Sequence, residues 1–247
     1  MRRFACLFFL LSFLSFLVHA EDSTVVEVGA FSKITGSDTL PSDWVEVRFR
    51  DIKGPTVYTL VDDGGIRVVK AVSQKAASGI GREIHIHAQE YPVLVWRWKA
   101  ENLIEKSNFK RKSGDDYAVR IYVAFDHDGS ALGFFEKILF RFLSIVYGRP
   151  IPARALNYIW AQEAPLGTMA SNPYTKRVKM VVVQSGSEGL NQWHELKRNI
   201  YEDYKKAFGK EPPPVKGIGM MTDTDSTGES AVAYYGDILL MRKDSLL

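Results

Sequence analysis

Tyr91–Phe125, YPVLVWRWKAENLIEKSNFKRKSGDDYAVRIYVAF, is the stretch on which the fold turns. In Val93–Lys99, Leu94, Trp96 and Trp98 alternate with Val93, Val95, Arg97 and Lys99. In Asp116–Phe125, Tyr117, Val119, Ile121, Val123 and Phe125 alternate with Asp116, Ala118, Arg120, Tyr122 and Ala124. Successive side chains of a strand point to opposite faces, so a period of two marks strands half buried against a core. We read two long neighbouring strands and a polar loop, the centre of an all-β domain.

The segment before them repeats the pattern, with Arg82, Ile84 and Ile86 on one side and Glu83, His85 and His87 on the other. Sequential strands are usually spatial neighbours. The three polar rows are therefore expected to share one face carrying Glu83, His85, His87, Arg97, Lys99, Asp116, Arg120 and Tyr122.

Further strands are expected at Val25–Phe31, Trp44–Phe49, Thr56–Val61, Ile66–Val72, Leu156–Ala161, Val178–Gln184, Val215–Met221 and Ala231–Met241. Asp62-Asp63-Gly64-Gly65 is a hairpin signal. Pro165–Thr175 reads as a loop, and Trp193–Asn199 is ambiguous. Leu132, Phe135, Leu139, Phe142, Leu143 and Val146 recur at helical spacing, either as a helix packed on the sandwich or as a membrane-surface or partner-binding helix. Tyr201–Phe208 reads as a second helix stopped by Gly209. Short strands at close spacing point to a jelly-roll-like antiparallel β-sandwich with one or two inserted helices.

Length and charge narrow the function classes. A chain of 247 residues, 46% hydrophobic, suits a leader at 1–20 followed by a single sandwich domain at 21–247. Arg2 and Arg3, the apolar run Phe4–Val18 and the small residues around Ala20 form a signal peptide cut before Glu21. The run is shorter than the ~20 residues that a membrane-spanning helix needs. Cys6, the sole cysteine, falls inside the leader, so the mature chain has neither disulfides nor thiolate chemistry. A periplasmic or secreted monomer is expected. Without Arg2 and Arg3 the basic count falls from 32 to 30 against 29 acids, about +1, which argues against nucleic-acid binding.

The shared polar face is the candidate ligand site. Arg97, Asp116, Arg120 and Tyr122 could hydrogen-bond sugar hydroxyls or hold an anionic sugar, with His85 beside them. Trp160, Trp193 or Tyr174 could supply a stacking plane. On a merely solvated face the same residues would form ion pairs such as Asp116–Arg120 or Glu83–Arg97. His85 and His87 with Glu83 could begin a metal site, for which no further ligand is identifiable. Asp126-His127-Asp128-Gly129-Ser130 and the loop with Asp223, Asp225 and Glu229 are oxygen-rich enough for calcium, but a plain Asp-Gly turn at the first and a structural turn at the second are the simpler readings. Asp237, in the closing strand Tyr234–Leu239, is a further structural-calcium candidate, and no other cofactor is expected. Asp223-x-Asp225-x-Thr227 matches a phosphatase-type motif, but too few residues follow to build the α/β sheet it requires.

WRWK at 96–99, GDDYAVRIYVAF at 114–125, LNYIWA at 156–161, NPYT at 172–175, RNIYEDYKKAFG at 198–209 and MTDTDSTGES at 221–230 together resemble an uncharacterised bacterial exported family, domain of unknown function 3047. The resemblance implies a single β-rich exported domain and carries over no catalytic residues. The function expected from the residues is a non-catalytic periplasmic binding domain for a glycan or other polar ligand on the sheet face. The alternatives are a polysaccharide lyase or hydrolase on the same sandwich, and an envelope interaction protein using helix 132–146.

Overall fold

The computed structural model describes residues 24–49, 52, 54–126 and 154–243. Two β-sheets pack face to face, as expected of an all-β sandwich. The strands in chain order are β1 (Val25–Gly29), β2 (Trp44–Arg48), β3 (Val57–Asp62), β4 (Arg67–Gln74), β5 (Ala77–Ile86), β6 (Val93–Ala100), β7 (Arg120–Phe125), β8 (Arg154–Ala161), β9 (Met169–Asn172), β10 (Thr175–Ser185) and β11 (His194–Asn199). Helix α1 (Ile200–Phe208) follows, then β12 (Val215–Asp223) and β13 (Ser230–Met241). The six-stranded sheet runs β11-β6-β13-β4-β3, with β1 also paired to β13. The seven-stranded sheet runs β2-β5-β12-β7-β8-β10-β9.

The local signals hold where they depend on nearby residues. β3 and β4 form the hairpin across Gly64 and Gly65, both with positive φ, and the Gly65 N–H donates to Asp62 Oδ1 at 2.9 Å. Helix α1 begins at Asn199, whose side chain accepts from Glu202 N, and ends at Gly209 with φ 71°. The ambiguous stretch is β11, paired antiparallel with β6. Part of the expected Pro165–Thr175 loop is β9. β10 runs parallel to β8, so the seven-stranded sheet is mixed rather than purely antiparallel.

The indoles of β6 face inward: Trp96 is 1% and Trp98 0% exposed. Trp96 packs on Trp98 at 5.4 Å and on Tyr158 of the opposite sheet at 5.2 Å between ring centres. Tyr204 of α1 closes the core against Phe125 at 4.5 Å, and buried Asp203 accepts from the Tyr158 hydroxyl at 2.8 Å. These contacts join the sheets through large buried rings, each of which removes much apolar surface from water.

The expectation of one shared polar face fails here. β5 and β7 belong to the seven-stranded sheet, where β12 lies between them, while β6 belongs to the other sheet. Arg97 and Arg120 therefore sit on opposite sheets. Asp116 and Tyr117 precede β7 rather than belonging to it. The proposed helix at 132–146, the Asp126–Ser130 turn beyond Asp126 and the leader lie outside the described residues. Among the described residues no helix is long and apolar enough to cross a membrane.

Trp96→Ala removes the ring that touches both sheets. It is expected to cost about 3–5 kcal/mol, read from urea unfolding followed by circular dichroism.

Candidate functional site

Two clusters gather the polar residues singled out above. The first lies on the outer face of the six-stranded sheet. Tyr235 pairs with Trp98 and Ile238 with Trp96, so Gly236 and Asp237 together oppose the single residue Arg97. This is a β-bulge, a device that re-aims side chains. The Arg97 side chain crosses over Gly236, where an added Cβ would stand 2.4 Å from its Cγ and Nε. Only glycine leaves that path open.

Among the described residues Arg97 has no ion-pair partner. Its guanidinium carbon stands 4.7 Å from the centre of the Trp193 ring, and no carboxylate among the described residues lies within 4 Å of it. The Trp193 indole is fixed by a 2.7 Å bond from Nε1 to Asp63 Oδ2. Lys99 Nζ donates to the same oxygen at 2.7 Å, and its bond holds the Asp63 carboxyl below the usual range. Glu195 of β11 is the cross-strand partner of Arg97. Asp237 accepts from both the N–H and the hydroxyl of Ser32. Ser32, Val95, Arg97, Glu195, Asp237 and Leu239 line one open groove of about 410 Å³.

The second cluster is a buried knot at the start of β7. Arg120, 1% exposed, donates through Nε to Asp223 Oδ1 at 2.8 Å and through Nη2 to Asp223 Oδ2. Its Nη1 reaches Asp115 Oδ1 at 3.2 Å and the Tyr122 hydroxyl at 3.1 Å. Burial alone would lower the guanidinium pKa, but the Asp223 charge and its neighbours hold it well above the ordinary value. Burial also pushes the Tyr122 phenol up to about 12. Asp116 accepts from Thr227 N at 2.6 Å and Ser226 N at 3.3 Å, tying the β12–β13 loop down.

Oxygens of Asp116, Asp223 and Asp225 come within 4.8 Å of one another. Three carboxylates so placed can supply part of the oxygen shell of one divalent cation such as calcium, which takes about six to eight. Burial, then the neighbouring Asp116 charge, raises the Asp225 carboxyl above its usual pKa.

The expected site residues are thus dispersed. Arg97 opens onto the groove, whereas Asp116 and Arg120 are sealed in the knot with Tyr122 half-buried beside them. His85 on β5 and His87 just beyond its end are exposed, 5.9 Å apart between ring centres, away from either cluster's hydrogen bonds. Trp160 is a core residue, 1% exposed, donating to Gly186 O at 2.9 Å, and offers no stacking plane. Of the expected calcium ligands, Asp223 and Asp225 come together, Asp237 belongs to the groove, and Asp116 takes the third place. Glu229 instead accepts from the N–H groups of Glu105 and Lys106, at 3.0 Å each. Glu195, Ser32 and Gly236 were missed. A glycine inside an otherwise unbroken strand signals a bulge, and that signal was available at Gly236.

A raised folded-state pKa makes Asp225 lose stability as pH rises from the unfolded value of about 3.9 through the folded one, with no loss below it. Asp225→Asn is therefore expected to raise stability by up to about 1 kcal/mol at pH 8 in the presence of a chelator. It should be neutral at pH 3.5. Thermal melts across pH measure both.

Among the solved structures that resemble the chain distantly are two carbohydrate-related ones by their titles. One is the glycoside hydrolase domain of Endo-D from Streptococcus pneumoniae R6, 8% identical, covering 80% of this chain and 21% of that one, with a TM-score of 0.32. The other is the cellulose induced protein Cip1, 11% identical, covering 80% of this chain and 91% of that one, also with a TM-score of 0.32. The chain thus spans about a fifth of the length of the Endo-D structure. No curated protein sequence matches it. The model of the family described as "Protein of unknown function (DUF3047)" matches residues 42–239, most of the chain, and the protein belongs to that family.

Proposed function

We propose that the protein is a non-catalytic binding domain for a glycan or another polyhydroxylated ligand, held in the groove on the outer face of the six-stranded sheet. One observation carries this reading. The Arg97 guanidinium is kept by Trp193 and a glycine bulge in a groove, with its donors uncommitted to any carboxylate among the described residues. Asp237 and Glu195 line the same groove with acceptors. Planar polar side chains of both kinds, converging on a groove, match hydroxyls that both donate and accept.

The reading replaces the expected set with Arg97, Glu195 and Asp237. It leaves Arg120 and Asp116 as structural residues, because a ligand cannot reach a side chain that folding has sealed. The apolar leader fits export to the periplasm or beyond, where such ligands are met.

Arg97→Ala should weaken glycan binding at least tenfold, about 1.4 kcal/mol. Gly236→Ala should do the same by displacing the Arg97 side chain. Glycan arrays followed by affinity electrophoresis read both variants, and equal retention of wild type and Arg97→Ala on every glycan would sink the reading. Shortening of a retained glycan would instead assign the Glu195 and Asp237 carboxylates to hydrolysis.

A further inference from the structure

The β6–β7 connection and the segment that follows β8 enclose a second cavity, separate from the groove and sharing only Tyr117 with the buried knot. Its volume is about 350 Å³, at the small end of ligand sites. Lys106, Phe109, Lys110, Arg111, Tyr117 and Gln162 are in its wall.

The wall is set by the fold rather than by a guest. Glu229 accepts the Glu105 and Lys106 N–H groups, and Asn108 N donates to Gly114 O. Gly114 packs so closely that an added Cβ would stand 2.7 Å from Asn108 N. A segment fixed in this way loses little freedom when it binds.

Two features of that wall call for a ligand. First, the Tyr117 hydroxyl and Gln162 Oε1 are shut off from solvent and have no hydrogen-bond partner among the described residues. Burying polar groups unpaired is unfavourable, and native structures retain few of them. Burial also raises the Tyr117 phenol pKa, so it stays a donor at neutral pH. Second, Lys106, Lys110 and Arg111 have no carboxylate within 4 Å among the described residues. They outnumber the wall's acids, Glu105 and Glu163, by one.

We propose that this cavity binds a small anionic, hydroxyl-bearing molecule of the sugar-acid class. Its hydroxyls would be met by the Tyr117 O–H and the Gln162 amide, and its carboxylate by the three cations. Both polar atoms are shielded in this structure, so this binding requires side-chain movement, for which Gln162 is the half-buried member of the pair. The donor and the amide select hydroxyls and the cations select charge, so neither a neutral sugar nor a bare anion satisfies the whole site.

The experiment is ligand-observed NMR with glucuronate, glucose and inorganic phosphate on the Arg97→Ala protein, which silences the groove. Glucuronate is expected to bind, with glucose and phosphate at least tenfold weaker. Tyr117→Phe removes only a hydroxyl that the fold does not use, so it should keep or raise the melting temperature while weakening glucuronate at least tenfold. The exposed pair Lys110→Gln and Arg111→Gln should do likewise and flatten the salt dependence. The proposal is overturned if glucuronate does not bind, if Tyr117→Phe binds it as well as the parent, or if glucose or phosphate binds equally.

Discussion

The bidentate pair between Arg120 and Asp223 is the contact on which this end of the sandwich depends. Both side chains are buried, with exposures of 2% and 4%. Losing either partner of such a pair strands a charge in the interior, at a cost of about 3–5 kcal/mol. The pair is supported by more than Coulomb attraction. Asp223 Oδ1 also accepts Tyr117 N at 3.0 Å, Asp115 accepts from Asn172 at 2.7 Å, and the Tyr117 ring lies 4.6 Å from the guanidinium carbon. Nearly every lone pair and proton in the knot has a use, which is the condition under which a buried ion pair is tolerated.

The knot matters because of where β12 leads. β12 and β13 are consecutive, yet each is an interior strand of a different sheet. The chain must cross between layers through residues 224–229, and that crossing carries backbone groups with no ladder to satisfy them. Asp116 takes two of these N–H groups, while Thr224 Oγ1 shares a 2.9 Å bond with Ser73. Glu229, at the end of the crossing, then fixes the start of the 105–115 segment. Asp223 and Glu229, which resemble part of a metal loop in sequence, thus act here as backbone anchors.

The groove and the loop cavity differ in how the fold makes them. At the groove, a bulge and a glycine let an arginine lie flat, and an indole holds it there. At the loop cavity, a segment pinned at Glu229 and Gly114 encloses polar atoms that the fold leaves unpaired. At the groove the neighbours of Arg97 fix its position, whereas at the loop cavity the backbone is pinned and the Gln162 side chain is left to move.

Much was legible because its causes are local. Period-two alternation placed Trp96 and Trp98 inside, Asp-Asp-Gly-Gly made the β3–β4 turn, and Gly209 stopped the helix. Those rules act over a few residues, so the sequence alone determined that strands would form, which of their faces would be apolar, and that a sandwich would result. It could not decide which strands are neighbours. That β12 inserts between β5 and β7, and that β6 crosses to the other sheet, follows from how all the apolar faces can be buried at once. The same global packing took Asp116 out of a strand, sealed Arg120 and left Arg97 facing solvent. Alternation says only that a side chain points away from its neighbours in the strand; what it meets there depends on residues a hundred positions away.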